Sequence, residues 1–216
     1  NRSKNRSVNL GLVGEGNILK KFFDESKFVN GIEVNAILVD NENEKKCYEN
    51  EELTLANNYD ELLNIVDAVY IISHPSKHYS QIKEALNQGK HVLCESPFAL
   101  KEEECGELEK LAIENDLILM DSIKTAYSTA YNRLLLLLKG GKIGDVYSID
   151  ATCTSLRDYD ENSWNSITGW APTALLPIFQ ILGVDYKNKT INSLILDEKP
   201  NFDLFTKIDF QYENAV

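Results

Sequence analysis

Three short polar clusters in this chain hold residues able to bind an anion or move a proton: Gly14-Glu15-Gly16-Asn17, Ser73-His74-Pro75 and Glu95-Ser96-Pro97. Each follows directly on an apolar run, respectively Val8 to Val13, Val69 to Ile72 and His91 to Cys94. Two glycines one residue apart let a backbone come close to a diphosphate. A helix starting at Asn17 and Ile18 would then aim its free N–H groups at that anion. Leu19 stands where a full dinucleotide fingerprint has its third glycine, which loosens helix–strand packing without removing the phosphate turn. A further run, Glu33 to Val39, ends on Asp40. A carboxylate there accepts hydrogen bonds from a ribose 2′-hydroxyl and repels a 2′-phosphate, so NAD is expected in preference to NADP. The other reading of Asp40 is a polar surface turn over residues 40–43.

The elements that position these clusters are legible from periodicity. Continuous apolar, β-branched runs such as Val69 to Ile72 read as strands buried on both faces, as parallel sheets require. Pro75 suits a first helical position, with Ser73 or His74 as cap. Tyr79, Ile82 and Leu86 recur at helical spacing until Gly89 stops the helix. Strand, helix and strand with short joins make a right-handed βαβ unit, and the polar clusters then fall at carboxyl strand ends, where open α/β sheets bind ligands. Asn58 to Leu63 reads as a capped short helix, 101–115 as an amphipathic helix with acids in its first turn, and Leu117 to Met120 as the next strand. Tyr131 to Leu138 is an apolar helix ended by Gly140-Gly141. Beyond it the pattern changes. Tyr147, Ile149, Ala151 and Cys153 alternate with polar residues, as do Ile208, Phe210 and Tyr212, which predicts half-exposed antiparallel strands. The expected division is a flexible tail over 1–7, a dinucleotide-type domain over 8–125 and an α+β domain over 126–216.

Composition excludes several partners. The formal net charge of −12 repels nucleic acid and anionic membranes. The longest purely aliphatic run, Leu134 to Leu138, is too short to span a bilayer. Cys47, Cys94, Cys105 and Cys153 show no C-x-x-C spacing and read as reduced thiols of a cytoplasmic protein. His74 and His78 stand four apart, but the first precedes Pro75 at a helix start and no H-E-x-x-H pattern is present, so no metal is expected.

Asp67-Ala68-Val69-Tyr70-Ile71 followed by Pro75 and His78, then Gly89-Lys90-His91-Val92 leading to Glu95 and Pro97, resembles the Gfo/Idh/MocA family of nicotinamide-dependent oxidoreductases. Tyr59 to Leu63 and Ile123 to Tyr127 are similar to segments of that family as well. The resemblance implies an α/β fold: a Rossmann-type doubly wound parallel sheet followed by an α+β domain with an open-faced, mainly antiparallel sheet. It also implies hydride transfer on a sugar, polyol or sugar derivative and a chain that continues past Val216. The alternating strands themselves leave one sheet face open, with Leu194, Ile208 and Phe210 as candidates for an apolar patch that a second subunit covers in a homo-oligomer. By the same resemblance, His78 packs under the cofactor loop and Glu95 helps position the nicotinamide, a simple cap being the alternative for Glu95.

Two departures bear on catalysis. Alcohol oxidation needs a base for the hydroxyl proton and a cation beside the developing alkoxide. The family usually has Glu-Lys-Pro where this chain has Ser96, and a D-x-x-x-H pair where this chain has Gly169 and Thr173. Lys124, expected at the carboxyl end of a parallel strand, is the remaining cationic candidate, with a salt-bridged surface lysine as the other reading. The sequence therefore supports two functions, an oxidoreductase or a dinucleotide-binding pseudoenzyme or regulatory subunit.

Overall fold

The computed structural model of the protein describes residues 7–154, 166–196 and 199–216. Of the tail expected over 1–7, all but Ser7 lies outside them. Packing divides the chain after Ser122 into two compact units.

The first unit begins with strand β1 (Val8–Gly14), helix α1 (Asn17–Ser26), β2 (Ile32–Leu38), the short helix α2 (Glu42–Lys45), β3 (Thr54–Leu55) and α3 (Tyr59–Ile65). It continues through β4 (Ala68–Ile72), α4 (Pro75–Asn87), β5 (His91–Cys94), α5 (Glu102–Glu114) and β6 (Leu119–Asp121). The six strands form one parallel sheet in the order β3-β2-β1-β4-β5-β6. This is the doubly wound order, which reverses direction between β1 and β4. Both faces of the sheet are covered, which explains the unbroken apolar runs. Leu62, Leu63, Ile82, Leu86 and Leu108 pack one face over Val13, Val69 and Ile71. Leu19, Phe23 and Tyr48 pack the other over Leu10, Leu12, Tyr70 and Ile72. Neighbours such as Tyr70 and Ile71 thus serve opposite cores, as the two-residue strand period dictates.

Caps fix where the helices start. The Asn58 side chain accepts from the Glu61 N–H at 2.9 Å at the head of α3. His74 caps α4 by accepting from the Ser76 N–H at 3.3 Å, with Pro75 as the first helical residue.

The second unit holds a 3-10 turn (Lys124–Tyr127), α6 (Thr129–Lys139), α7 (Ser166–Leu182) and an antiparallel pair, β7 (Asn188–Leu196) with β8 (Lys199–Gln211). The alternation expected to make a strand of 147–153 does not do so. Among the described residues that segment has no strand partner along its length, and two backbone bonds tie it, Ile149 N–H to Val216 O and Val216 N–H to Tyr147 O, both 3.1 Å. Period-two patterning marks a face to be covered, but a strand also needs a ladder. Ile208 and Phe210, expected on the open face, lie half-buried, with the Phe210 ring 5.3 Å from Phe179 of α7 and 4.8 Å from Tyr186.

Candidate functional site: the carboxyl edge of the parallel sheet

The turn from β1 into α1 sits where the strand order reverses. Gly14 pairs with Ile72 at the end of β4, and a Cβ at Gly14 would lie 2.5 Å from the Ile72 carbonyl carbon and 2.7 Å from the Ser73 nitrogen. Only glycine allows this approach, and its φ of 141° also lies outside the range of other residues. Gly16, with φ 89°, ends the turn and has no atom within 4 Å of where its Cβ would stand. Asn17 and Ile18 then open α1, both exposed, and no side chain caps that helix end. The Gly16 N–H nonetheless holds an anion already: the Glu44 carboxylate, on α2, accepts from it through both oxygens at 3.2 and 3.1 Å. A turn that binds a carboxylate on a backbone N–H, with open space beside its second glycine, fits a diphosphate.

Asp40 is exposed just past β2, and the Lys77 ammonium of α4 lies 3.4 Å from its carboxylate. An exposed pair this long contributes little to stability. It does place a cation beside the carboxylate expected to read the ribose.

On the other side of β1, Ser73 is buried and donates its hydroxyl to Gln81 Oε1. His78 is fully buried, with Nδ1 2.8 Å from the Pro97 carbonyl oxygen and Nε2 2.7 Å from that of Ser73. One imidazole therefore links the turn after β4 to the turn after β5. Burial pushes its pKa below the usual histidine range, against the two carbonyls that favour the cation.

Glu95, Ser96 and Pro97 follow β5. Tyr70 pairs with Leu93 across the β4–β5 ladder, so its ring lies on the face that Glu95, two residues on, also takes. The Tyr70 hydroxyl donates to Glu95 Oε1, and Ser122, just past β6, donates to the same oxygen at 3.1 Å. Burial first, and then the Glu95 carboxylate, raise the Tyr70 phenol above its ordinary range. Ser96 donates to Asp121 Oδ2 at 3.3 Å. The edge thus carries two carboxylates, each hydrogen-bonded by a serine.

Lys124 does not stand at a strand end. β6 stops at Asp121, the Ser122 N–H makes the closing ladder bond to Cys94 O at 2.8 Å, and Lys124 opens the 3-10 turn of the second unit with its side chain exposed. Gly169 and Thr173 both lie on α7. Glu44, Lys77, Tyr70 and Asp121 were not singled out from sequence. Glu44 sits in an unremarkable polar stretch 28 residues from Gly16, while Tyr70 lies inside an apolar run where a core role suffices.

Comparison with known proteins bears on the family and the fold. The sequence profile of the oxidoreductase family with an NAD-binding Rossmann fold matches residues 8–122. Over 95 residues, 44% of this chain and 28% of the relative, it is 39% identical to the Bacillus subtilis scyllo-inositol 2-dehydrogenase (NADP(+)) IolU. Over 82 residues, 38% of this chain and 21% of the relative, it is 33% identical to the D-xylose 1-dehydrogenase (NADP(+)) of Hypocrea jecorina. Among solved structures, an NAD-binding protein from Listeria innocua superposes with a TM-score of 0.79 at 18% identity, covering 98% of this chain and 65% of that one. The likeness at that identity is one of fold, and these two curated relatives are matched over less than a third of their length. With the profile covering more than half of its residues, the chain belongs to the Gfo/Idh/MocA oxidoreductase family.

Proposed function

We propose that this protein is an NAD-dependent oxidoreductase that oxidises a secondary hydroxyl of a sugar, polyol or sugar derivative by hydride transfer. The observation that carries the reading is the Gly14–Asn17 turn at the strand-order reversal, whose Gly16 N–H already holds a carboxylate. In this reading Gly14, Gly16, Asn17 and Ile18 hold the pyrophosphate, and Asp40 takes the adenosine ribose. Ser73, His74, Pro75, Glu95, Ser96 and Pro97 line the nicotinamide side, with His78 fixing both turns from beneath. The nicotinamide supplies the hydride acceptor. What the chain must add is a base for the hydroxyl proton, and we assign that task to Lys124, which lies in the same Ile123 to Tyr127 segment that resembles the family. A second copy of the chain, covering the open face of β7 and β8, completes the molecule.

The relatives named above use NADP(+), so the NAD assignment stands on Asp40 alone. Calorimetry with NADH and NADPH tests it. Tighter NADH binding is expected, and Asp40→Ala should weaken NADH by about 1–3 kcal/mol, the cost of leaving the ribose hydroxyls unmatched. Equal or tighter NADPH binding overturns the assignment.

Ser96, Gly169 and Thr173, where the resemblance has Lys, Asp and His, favour a second reading: a dinucleotide-binding pseudoenzyme or regulatory subunit. NADH binding without oxidation of any sugar or polyol by the full-length protein would select it.

A further inference from the structure

A backbone donor of the Gly14–Asn17 turn is occupied by the chain itself. Glu44 reaches the exposed Gly16 N–H from α2 and accepts through both carboxylate oxygens, at 3.2 and 3.1 Å. Its own surroundings do not require this. It is half-buried, the third residue of a four-residue helix whose Asn41 cap and Glu42–Lys45 ion pair are complete without it. The turn, by contrast, offers an anion much. Nothing stands within 4 Å of the missing Gly16 Cβ, and α1 has neither a capping side chain nor an acid in its first turn. The uncompensated positive end of α1 therefore draws a negative charge, and Glu44 supplies it.

We propose that Glu44 is an intramolecular stand-in for the dinucleotide pyrophosphate, seated on Gly16 in the free protein and displaced when the dinucleotide binds. The proposal rests on the reading of this turn as a dinucleotide site. Two consequences lower affinity. Binding must first break the Glu44–Gly16 bond. The released carboxylate then remains on α2, close to the incoming phosphates and of like charge. Glu44 thus sets the dinucleotide concentration at which the site fills, a role that a simple loop-closing contact lacks.

Calorimetric titration of the full-length protein with NADH tests this, using Glu44→Ala and Glu44→Gln beside the wild type. Glu42→Gln serves as control, because it removes the same charge from the same helix but from a carboxylate bonded to Lys45. Glu44→Ala should tighten NADH by about fivefold, the scale of one displaced hydrogen bond. Glu44→Gln should fall between it and the wild type, and Glu42→Gln should change affinity less than about twofold. Amide exchange in the absence of any dinucleotide gives an independent readout, with the Gly16 N–H of Glu44→Ala exchanging faster than in the wild type. Unchanged or weaker NADH binding in Glu44→Ala overturns the proposal, as does equal tightening in Glu42→Gln or unaltered Gly16 exchange. Failure of every variant to bind NADH or NADPH overturns the proposal together with the dinucleotide reading. Binding by wild type without tightening overturns the proposal alone.

Discussion

His78 lies between the turns after β4 and β5 with a ring that burial favours as neutral, and the neutral ring donates to one of the two facing carbonyls, Ser73 O or Pro97 O, at a time. Its pKa is lowered in the fold, chiefly by burial and with His74 adding to the effect, while Pro97 O, Ser73 O and Glu95 pull the other way. Below about pH 6.5 the unfolded chain therefore binds a proton at this position that the folded chain resists. Stability associated with His78 is complete above that pH and is lost as pH falls toward the depressed folded value. The melting temperature should drop between about pH 7.5 and about pH 5.5, and His78→Asn, though less stable throughout, should show a shallower drop. Parallel profiles for the two proteins would mean that His78 is not neutral in the fold. Lys124 gives a second test at this scale. If it is the base, Lys124→Met leaves NADH affinity nearly unchanged and lowers kcat by about 100-fold or more, and Ser96→Lys raises activity. Full activity in Lys124→Met on a verified substrate removes it from the mechanism. Single residues were legible where backbone chemistry demanded a type: Pro75 at a helix start, Asn58 as a cap, glycine at 14 and 16. Residues whose role comes from a distant partner were not. Glu44 meets Gly16, and Tyr70 meets Glu95, only because the sheet brings them together.

At the scale of elements, the central strands β1, β4 and β5 could be read from sequence because they are apolar runs bounded by turn residues, whereas the two-residue edge strand β3 carries no such run. The sequence reading starts and ends the second strand one residue late, over Glu33 to Val39 against Ile32–Leu38. The reading failed for 147–153, where alternation was present but, among the described residues, Val216 is the backbone partner and no ladder forms. It failed also at Lys124, since the end of β6 is set by its ladder with β5, which sequence does not display. β1 and β4 approach closely at Gly14. A methyl group there would meet Ile72 backbone atoms at 2.5 and 2.8 Å and Ser73 N at 2.7 Å, on strands that cannot separate without opening the core. Gly14→Ala should cost about 3 kcal/mol of stability in urea denaturation. Gly16→Ala meets no neighbour and should cost only the strain of its positive φ, about 1–3 kcal/mol and less than Gly14→Ala. A larger loss at Gly16 than at Gly14 would show that the β1–β4 approach is not the limiting constraint.

Apolar burial is distributed unequally over the whole molecule. Both core clusters lie in the first unit, drawn from residues between Leu10 and Ala112. The second unit instead exposes Leu134, Leu136, Ile143, Tyr147, Val184, Ile191, Leu194, Leu204 and Phe205. Its two-stranded sheet is a poor candidate for independent stability, because one ribbon buries too little surface. α7 covers part of one face through Phe179 and Phe210. On the opposite face Leu194 and Phe205 stand across from each other in register, 56% and 58% exposed. A second copy of the chain is the occupant proposed for that face, and like charge does not forbid it if the contact is apolar at its centre. Sedimentation equilibrium should then give a mass above the 24.5 kDa of one chain at micromolar concentration. Replacing both Leu194 and Phe205 with Asp should shift the protein toward monomer while leaving NADH affinity, which belongs to the first unit, within about twofold. A wild-type chain that stays strictly monomeric would remove the second copy. A mutant that loses NADH binding along with association would show instead that the two units depend on each other for folding.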